Sequence, residues 1–288
     1  MYKRKPEWLR ISLKSSEDLG VVEKTLGEGQ LTTVCREAKC PNLHECWGRN
    51  RTATFMVLGD VCTRRCRFCS VATGLPKAVD YAEIDRVLDA VGKLELKHVV
   101  ITMVNRDDLA DGGSLFLAEL ISRIKQEYPK STLEILSSDM MGNVESIERM
   151  MAAGPDIMSH NLETVRRLTP LVRSRSDYDR SLFFLKAAAA CGGSRIKSSI
   201  MLGLGETKQE IVTVMDDLLE NGVEVMNIGQ YLQPTKRNIP VEKYWTPEEF
   251  AGLKQLALDK GFAHCESGPL VRSSYMAADN PLLAGREG

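Results

Sequence analysis

Short apolar runs alternate along most of the chain with stretches of helical spacing. Ala53 to Leu58 (ATFMVL), His98 to Val104 (HVVITMV), Thr132 to Leu136, Ile157 to Ser159, Ile196 to Leu202 and Val223 to Tyr231 are apolar and rich in β-branched residues, and they read as strands. Asp85 to Leu94, Leu115 to Ile124, Val144 to Met151, Tyr178 to Cys191, Glu206 to Asn221 and Thr246 to Lys260 read as helices. Pro129, Gly154-Pro155, Gly192-Gly193 and Gly222 supply stops between these elements. Thr246 is placed to cap the last helix, with Pro247 as its first residue. Strands that alternate with helices predict parallel βα units. Residues 53–262 hold six such units, whereas an eightfold barrel takes ~250 residues for its repeat alone. The expected fold is therefore α/β, a partial (β/α)6 TIM-like barrel with N- and C-terminal extensions that cover its open end. A doubly wound sheet has the same strand count, but no phosphate fingerprint follows the first strand.

The pattern divides the chain into an N-terminal extension (1–50), the barrel core (51–262) and a C-terminal extension (263–288). Pro6, Gly20, Gly27 and Gly29 are expected to break any long element in the first thirty residues, leaving an arm that Trp8 and Leu9 anchor on the main body. In parallel α/β folds ligands gather at the carboxyl ends of the strands. The loops there are polar and glycine-rich: NRDDLADGGS (105–114), SHNLETVRRL (159–168), MLGLGET (201–207) and GQYLQPTKRN (229–238). They read as the rim of a substrate-enclosing site.

Composition narrows the picture. The chain has 288 residues, is 43% hydrophobic and 27% charged, and carries a formal net charge of −1. That balance gives no global attraction to nucleic acid or anionic membrane. The basic start MYKRKPEWLR is not followed by an apolar segment, and no apolar run approaches the ~20 residues that span a bilayer. The expectation is a cytoplasmic protein with reduced cysteines, monomeric by default.

Cysteine spacing carries the chemistry. Six of the eight cysteines form two triplets: Cys35, Cys40 and Cys46, spaced C-x4-C-x5-C, and Cys62, Cys66 and Cys69, spaced C-x3-C-x2-C. Thiolates are soft ligands suited to iron–sulfur clusters and zinc. Three of them hold three corners of a 4Fe–4S cubane and leave one iron open. A zinc knuckle wants four Cys or His ligands; His44 is available to the first triplet, and no histidine lies near the second. A disulfide framework does not suit a mid-sized chain without a secretory signal. Cys191 and Cys265 stand alone and are expected to be small buried core residues. His264 and the strand-start His98 are expected to be structural, and His160 to be structural or part of the site. Arg64, Arg65 and Arg67 are expected to tune the charge of a cluster or to dock an acidic carrier.

The second triplet, with Phe68 just before its last cysteine, resembles the signature of radical S-adenosylmethionine (SAM) enzymes. Nearly the whole chain resembles the lipoyl synthase family, through VCREAKCPNLHECW, TATFMVLGDVCTRRCRFCSV, VVITMVNRDDLADGGS, HNLETV, MLGLGET, IGQYLQPTKRNIPVEKYWTPEEF and GPLVRSSY. The family usually has a proline–aspartate–aromatic stretch where this chain reads SSDMMGN (137–143); Asp139 keeps the acid.

The resemblance implies a sulfurtransferase with two 4Fe–4S clusters and SAM. Cys62, Cys66 and Cys69 would hold the SAM-binding cluster. Cys35, Cys40, Cys46 and a serine of RSSY, Ser274 ahead of Ser273, would hold an auxiliary cluster that is consumed as the sulfur source. Two SAM molecules would remove hydrogen from carbons 6 and 8 of an octanoyl-lysine on a carrier domain. SAM contacts would come from Gly112, Gly113, Asn161, Glu163, Gly203, Gly205 and Glu206. Arg173 and Arg272 would clamp a carboxylate or orient the terminal loop. Implied partners are lipoyl domains of 2-oxoacid dehydrogenases and the glycine cleavage H protein, an electron donor such as ferredoxin or flavodoxin, and an iron–sulfur carrier. Biotin-synthase-like and methylthiotransferase-like enzymes share only the second triplet with it.

Overall fold

Six strands of the central sheet fall on the six apolar runs, and a seventh follows them. In a computed structural model, residues 4–10, 17–49, 54–275 and 277 are described. The strands are β1 (Thr54–Val57), β2 (His98–Met103), β3 (Thr132–Leu136), β4 (Ile157–Ser159), β5 (Arg195–Leu202), β6 (Val225–Gln230) and β7 (His264–Gly268). They lie side by side in chain order, every pair parallel, with β1 and β7 at the two edges. Helices α1 (Ala82–Leu94), α2 (Ser114–Glu127), α3 (Val144–Ala152), α4 (Tyr178–Cys191), α5 (Lys208–Glu220) and α6 (Pro247–Lys260) connect successive strands. The result is an open, partial βα barrel. β7 lies in the stretch read from sequence as an extension; HCESG has little of a strand's apolar signature, and its place is set by pairing with β6.

Strand register explains the cavity. Phe55, Val99, Ile101, Leu133, Ile135, Met158, Ile196, Ile200, Met226, Ile228 and Cys265 alternate onto one face of the sheet and are fully buried in the core. The alternate residues are mostly polar: His98, Thr102, Glu134, Lys197, Ser199 and Asn227. Their face turns inward, because His98, Thr102 and Ser199 line the central cavity. A barrel with an oily outer face under its helices and a polar inner face has a lumen built for a polar ligand.

Caps set the helix ends. Thr207 and Thr246 each form a capping box, with Glu210 and Glu249, and Pro247 is the first residue of α6 as its sequence predicts. One expectation about the N-terminal arm fails. Glu17–Glu28 is a helix of twelve residues that runs through Gly20 and Gly27. Val22 and Leu26, one turn apart, are wholly buried. Burying two such side chains outweighs the ~1 kcal/mol that each helical glycine costs. Leu9 is buried, whereas Trp8 is substantially exposed. Among the described residues no helix is long and apolar enough to cross a membrane.

Inside the barrel, Lys197 Nζ lies 2.9 Å from both oxygens of Glu134, and His98 Nε2 is 3.8 Å from the same carboxylate. Burial alone would raise the Glu134 pKa; Lys197 and His98 outweigh it and hold the carboxyl below its ordinary value. Removing one member of a buried pair strands the other charge. Lys197→Met is expected to destabilise the iron-free chain by about 3–5 kcal/mol in urea unfolding, and Glu134→Leu added to it to restore most of that.

The candidate cluster and cofactor cavity

Both cysteine triplets open into one cavity of about 960 Å³ at the mouth of the barrel. Cys35, Cys40, Cys46, Cys62, Cys66 and Cys69 all line it, and none of them is in a disulfide. So do Asn161, Glu163, Arg173, Arg272, Ser273 and Ser274.

The second triplet rides on the loop after β1. Val61–Cys62 pairs in parallel with Ala72–Thr73, closing the loop at its base. Three neighbouring loops hold it. Thr63 N–H donates to Asn105 O (3.1 Å), Arg67 N–H to Val172 O (2.8 Å), and Ile239 N–H to Arg67 O (3.0 Å). Asn238 Nδ2 donates to Arg67 O and Cys69 O. Inside the loop, Arg64 N–H points at Cys62 Sγ (3.4 Å) and Val71 N–H at Cys69 Sγ (3.5 Å).

Cys35 and Cys46 sit on two short helices, Val34–Glu37 and Leu43–Arg49, and Cys40 lies between them. Thr33 caps the first, and Met56 N–H donates to Thr32 O, which ties the segment to β1. The Ser70 hydroxyl donates to Glu37 O and joins the two cysteine segments. The C-terminal segment closes over this side. Asn42 Nδ2 donates to Leu270 O (2.7 Å), and Asn227 Nδ2 to Arg272 O (2.9 Å) and Ser273 O (3.0 Å). Gly229 makes the approach possible: a Cβ there would overlap Val271 O. Arg272 is charge-coupled to Cys40, and Tyr275 to Glu45 and Cys46. Ser273 and Ser274 stand in the chain between those two anchors.

Burial dominates the thiol chemistry. It pushes the pKa of Cys66 up to about 12, Cys69 to about 11 and Cys46 to about 12, and it raises Cys40 as well. Neighbouring thiols of the same triplet add to these rises, so each triplet is grouped in space. Buried thiols become good ligands when a metal displaces the proton. Among the described residues no three His, Cys, Asp or Glu side chains converge on a single metal-ion position. Thiols spaced for a cubane do not have to share one ion at ~2.3 Å. The donor set fits two thiolate-bound clusters. His44 also lines the cavity, and its buried Nδ1 has no hydrogen-bond partner.

Opposite the thiols the wall is charged and polar. Glu163 has a left-handed backbone (φ 66°), rare for a residue with a side chain, and its N–H and carbonyl bridge into β5. Its side chain accepts from Asn161 Nδ2 at 3.1 Å. Burial raises the Glu163 pKa, with Arg173 opposing; burial lowers that of Arg173, with Glu163 and Cys66 opposing. Asn161 Oδ1, Asn105 Oδ1 and Arg173 Nε are buried without partners. Buried polar atoms left unpaired beside a cavity are what a zwitterionic ligand such as SAM would satisfy.

Other expected positions lie elsewhere. Gly112 (φ 63°) and Gly113 (φ 92°) pack on Met140 and Leu58, not on the cavity. A Cβ on Gly203 would overlap the Gln230 amide and Lys243 O. Glu206 accepts from Gly203 N–H, Leu204 N–H and Trp245 Nε1, so both its oxygens brace its own loop. Gly205 is likewise outside the cavity lining. These residues shape loops that border the site. Cys265 is buried in β7, but Cys191 is exposed: it is the last residue of α4, beyond Ala188, where the buried stripe of that helix ends. Sequence reading missed Asn42, Asn227 and Gly229, and the inward polar strand positions. A polar alternation within apolar strands was the available signal for the last of these.

His160 is a post in the wall. Nδ1 bonds Ser137 O (2.9 Å), Nε2 bonds the Ser181 hydroxyl (3.0 Å), and the ring lies against Phe184. Burial, helped by Arg173, lowers its pKa to about 4. The unfolded chain takes up this proton near pH 6.5, whereas the native ring resists to about pH 4, so stability falls as pH drops through that window. His160→Gln, which cannot titrate, is expected to remove about 3 kcal/mol of the loss in iron-free protein between pH 7 and pH 4, measured by denaturant unfolding.

The comparisons with known proteins agree with this geometry. A model of the Radical SAM superfamily matches residues 56–218. Lipoyl synthase of Bacillus subtilis (strain 168) is 58% identical over 285 residues, which cover 99% of this chain and 96% of that one. Lipoyl synthase of Geobacillus sp. (strain WCH70) is 56% identical over 287 residues, again covering 99% and 96%. Among solved structures, methylornithine synthase (PylB) aligns with a TM-score of 0.57 at 14% identity, over 86% of this chain and 75% of that one. The FeFe-hydrogenase maturase HydG from Carboxydothermus hydrogenoformans aligns at 0.56 and 12% identity, over 93% and 78%. At that identity the structural likenesses show the fold alone.

Proposed function

The chain belongs to the lipoyl synthase family of radical SAM enzymes, and from that premise we propose how its residues divide the work. It is a radical SAM sulfurtransferase that makes the lipoyl group, with SAM and two 4Fe–4S clusters as cofactors. In our reading Cys62, Cys66 and Cys69 hold the SAM-binding cluster, and Cys35, Cys40, Cys46 and Ser274 the auxiliary one. The observation that carries this is the single cavity into which both triplets and the RSSY serines open. When bound and reduced by an external electron donor, the first cluster would supply the electron that splits SAM into methionine and a primary alkyl radical able to take hydrogen from an unactivated methylene.

This chain's residues supply binding and placement. Asn161 and Glu163 present polar atoms to the SAM side of the cavity. Arg173, buried beside Cys66 and Glu163, offers its free Nε to a carboxylate. Asn42, Asn227 and Gly229 hold the segment that carries RSSY near the first triplet, which supports Ser274 as the weak, hard fourth ligand. A weakly held corner suits a cluster that is itself a substrate and gives up its sulfur. The octanoyl chain, on the lysine of a carrier domain such as a lipoyl domain or the H protein, enters this cavity and loses hydrogen at carbons 6 and 8.

The test is iron and acid-labile sulfide per chain after anaerobic reconstitution, followed by reaction with SAM, reductant and an octanoyl-lysyl peptide. About eight irons are expected, two cubanes' worth, with one cluster's iron lost as the dithiolated peptide appears. Product formed while both clusters stay intact would refute the sacrificial role.

A further inference from the structure

Arg64 lies between the cysteines of the second triplet and borders the cavity, with its guanidinium packed inside the protein. Its side chain is 1% exposed. Nε and Nη2 donate to the two oxygens of Asp107, both at 2.8 Å. Nη1 and Nη2 donate to the two oxygens of Asp139, at 3.0 and 2.6 Å. Nη1 also reaches the Ser176 hydroxyl at 3.2 Å. One guanidinium thus forks onto two carboxylates from two different strand ends, after β2 and after β3, and touches the segment before α4. Asp139 is wholly buried and accepts a further bond from Arg180 Nε at 2.9 Å. Its turn is strained: Met140 and Met141 both have positive φ, 45° and 51°. Asp107 N–H donates back to Thr63 Oγ1, next to Arg64 (3.1 Å). Arg65 and Arg67, by contrast, are exposed.

We propose that Arg64 is a positioning residue which, through Asp107 and Asp139, fixes the Cys62–Cys69 loop in its cluster-binding shape before iron arrives and sets the electrostatics of the cluster held there. Each fork is a charge-assisted bidentate pair, the strongest and most directional tie available to a loop. The shape it fixes includes the main-chain N–H of Arg64 aimed at Cys62 Sγ, and such a bond favours the more negatively charged, reduced cluster. Within this network of side chains Arg64 and Arg180 balance Asp107 and Asp139, two charges against two. The proposal rests on the assignment of Cys62, Cys66 and Cys69 to the SAM-binding cluster.

Two measurements test it. The first is hydrogen exchange of the iron-free full chain. Arg64→Lys keeps the charge but cannot fork. Its amides at 63–71 are expected to exchange about tenfold faster or more than in the unmodified chain, with those of 132–136 unchanged. Unchanged exchange at 63–71 would overturn the proposal. The second is the midpoint potential of the cluster, followed by electron paramagnetic resonance, in chains with Cys35, Cys40 and Cys46 replaced by alanine so that one cluster is read. Arg64→Met leaves an excess carboxylate and is expected to shift the potential downward. Asp139→Asn leaves an excess arginine and is expected to shift it upward. Mere loosening of the loop would move both variants the same way, and that outcome, or no shift, overturns the electrostatic role. If the triple-alanine chain takes up no iron at all, the cluster assignment fails and the proposal falls with it.

Discussion

Replacing Cys66 by alanine is expected to abolish 5′-deoxyadenosine formation and with it every later product. Cys66 lies at the centre of its triplet, beside Cys62, Cys69, Glu163 and Arg173, so its sulfur faces the wall proposed to hold SAM. Its thiol is pushed up to about 12 by burial, and no neighbouring cation makes it an anion without metal. Alanine leaves two thiols for a cubane that needs three. Iron content is expected to fall from about eight to about four per chain, the remainder sitting on Cys35, Cys40 and Cys46. The loop itself should persist in this variant, because the ties from Asn105, Val172, Asn238 and Ile239 do not involve the thiol. Two outcomes would sink the assignment: deoxyadenosine still formed, or all iron lost together.

Cys46→Ala gives the complementary result. SAM cleavage is expected to continue, uncoupled from sulfur insertion, with about four irons per chain and no thiolated peptide. The variant separates the radical-generating half of the cavity from the sulfur-donating half. The fourth position on that side is decided by two further changes. Ser274→Ala is expected to lower auxiliary-cluster occupancy and to reduce product at least about tenfold, the effect of losing ~1.4 kcal/mol or more at the reacting cluster. His44→Ala is the control, since His44 lines the same cavity with a free Nδ1. If His44→Ala shows the loss and Ser274→Ala does not, the serine assignment is wrong and the histidine takes its place.

The two triplets, the βα rhythm and the loops at the strand ends were legible because each depends on local spacing. Cysteines three to six positions apart reach one cluster whatever the rest of the chain does. Likewise, Thr246-Pro247 opens a helix through its own side chains. The N-terminal helix was misread for the opposite reason: Gly20 and Gly27 are a local signal, and the contacts of Val22 and Leu26 that overrule it come from distant parts of the chain. β7 was missed likewise, because its pairing with β6 comes from outside the segment.

The site divides along the same line. By itself the sequence determined which atoms are available to metal and which end of the strands they occupy, since ligand chemistry and strand–helix alternation are carried by residue type and short-range order. Only the tertiary structure decided that both triplets share one cavity and that Gly229 and Asn227 admit the RSSY segment beside Cys40. It alone set Arg64 and Asp139, 75 positions apart, as a buried pair behind the cysteine loop. Hydrogen bonds and close approaches between residues so far apart in the chain have no period or motif to announce them. They exist only once the sheet has curved into its open, partial barrel and brought the strand ends together.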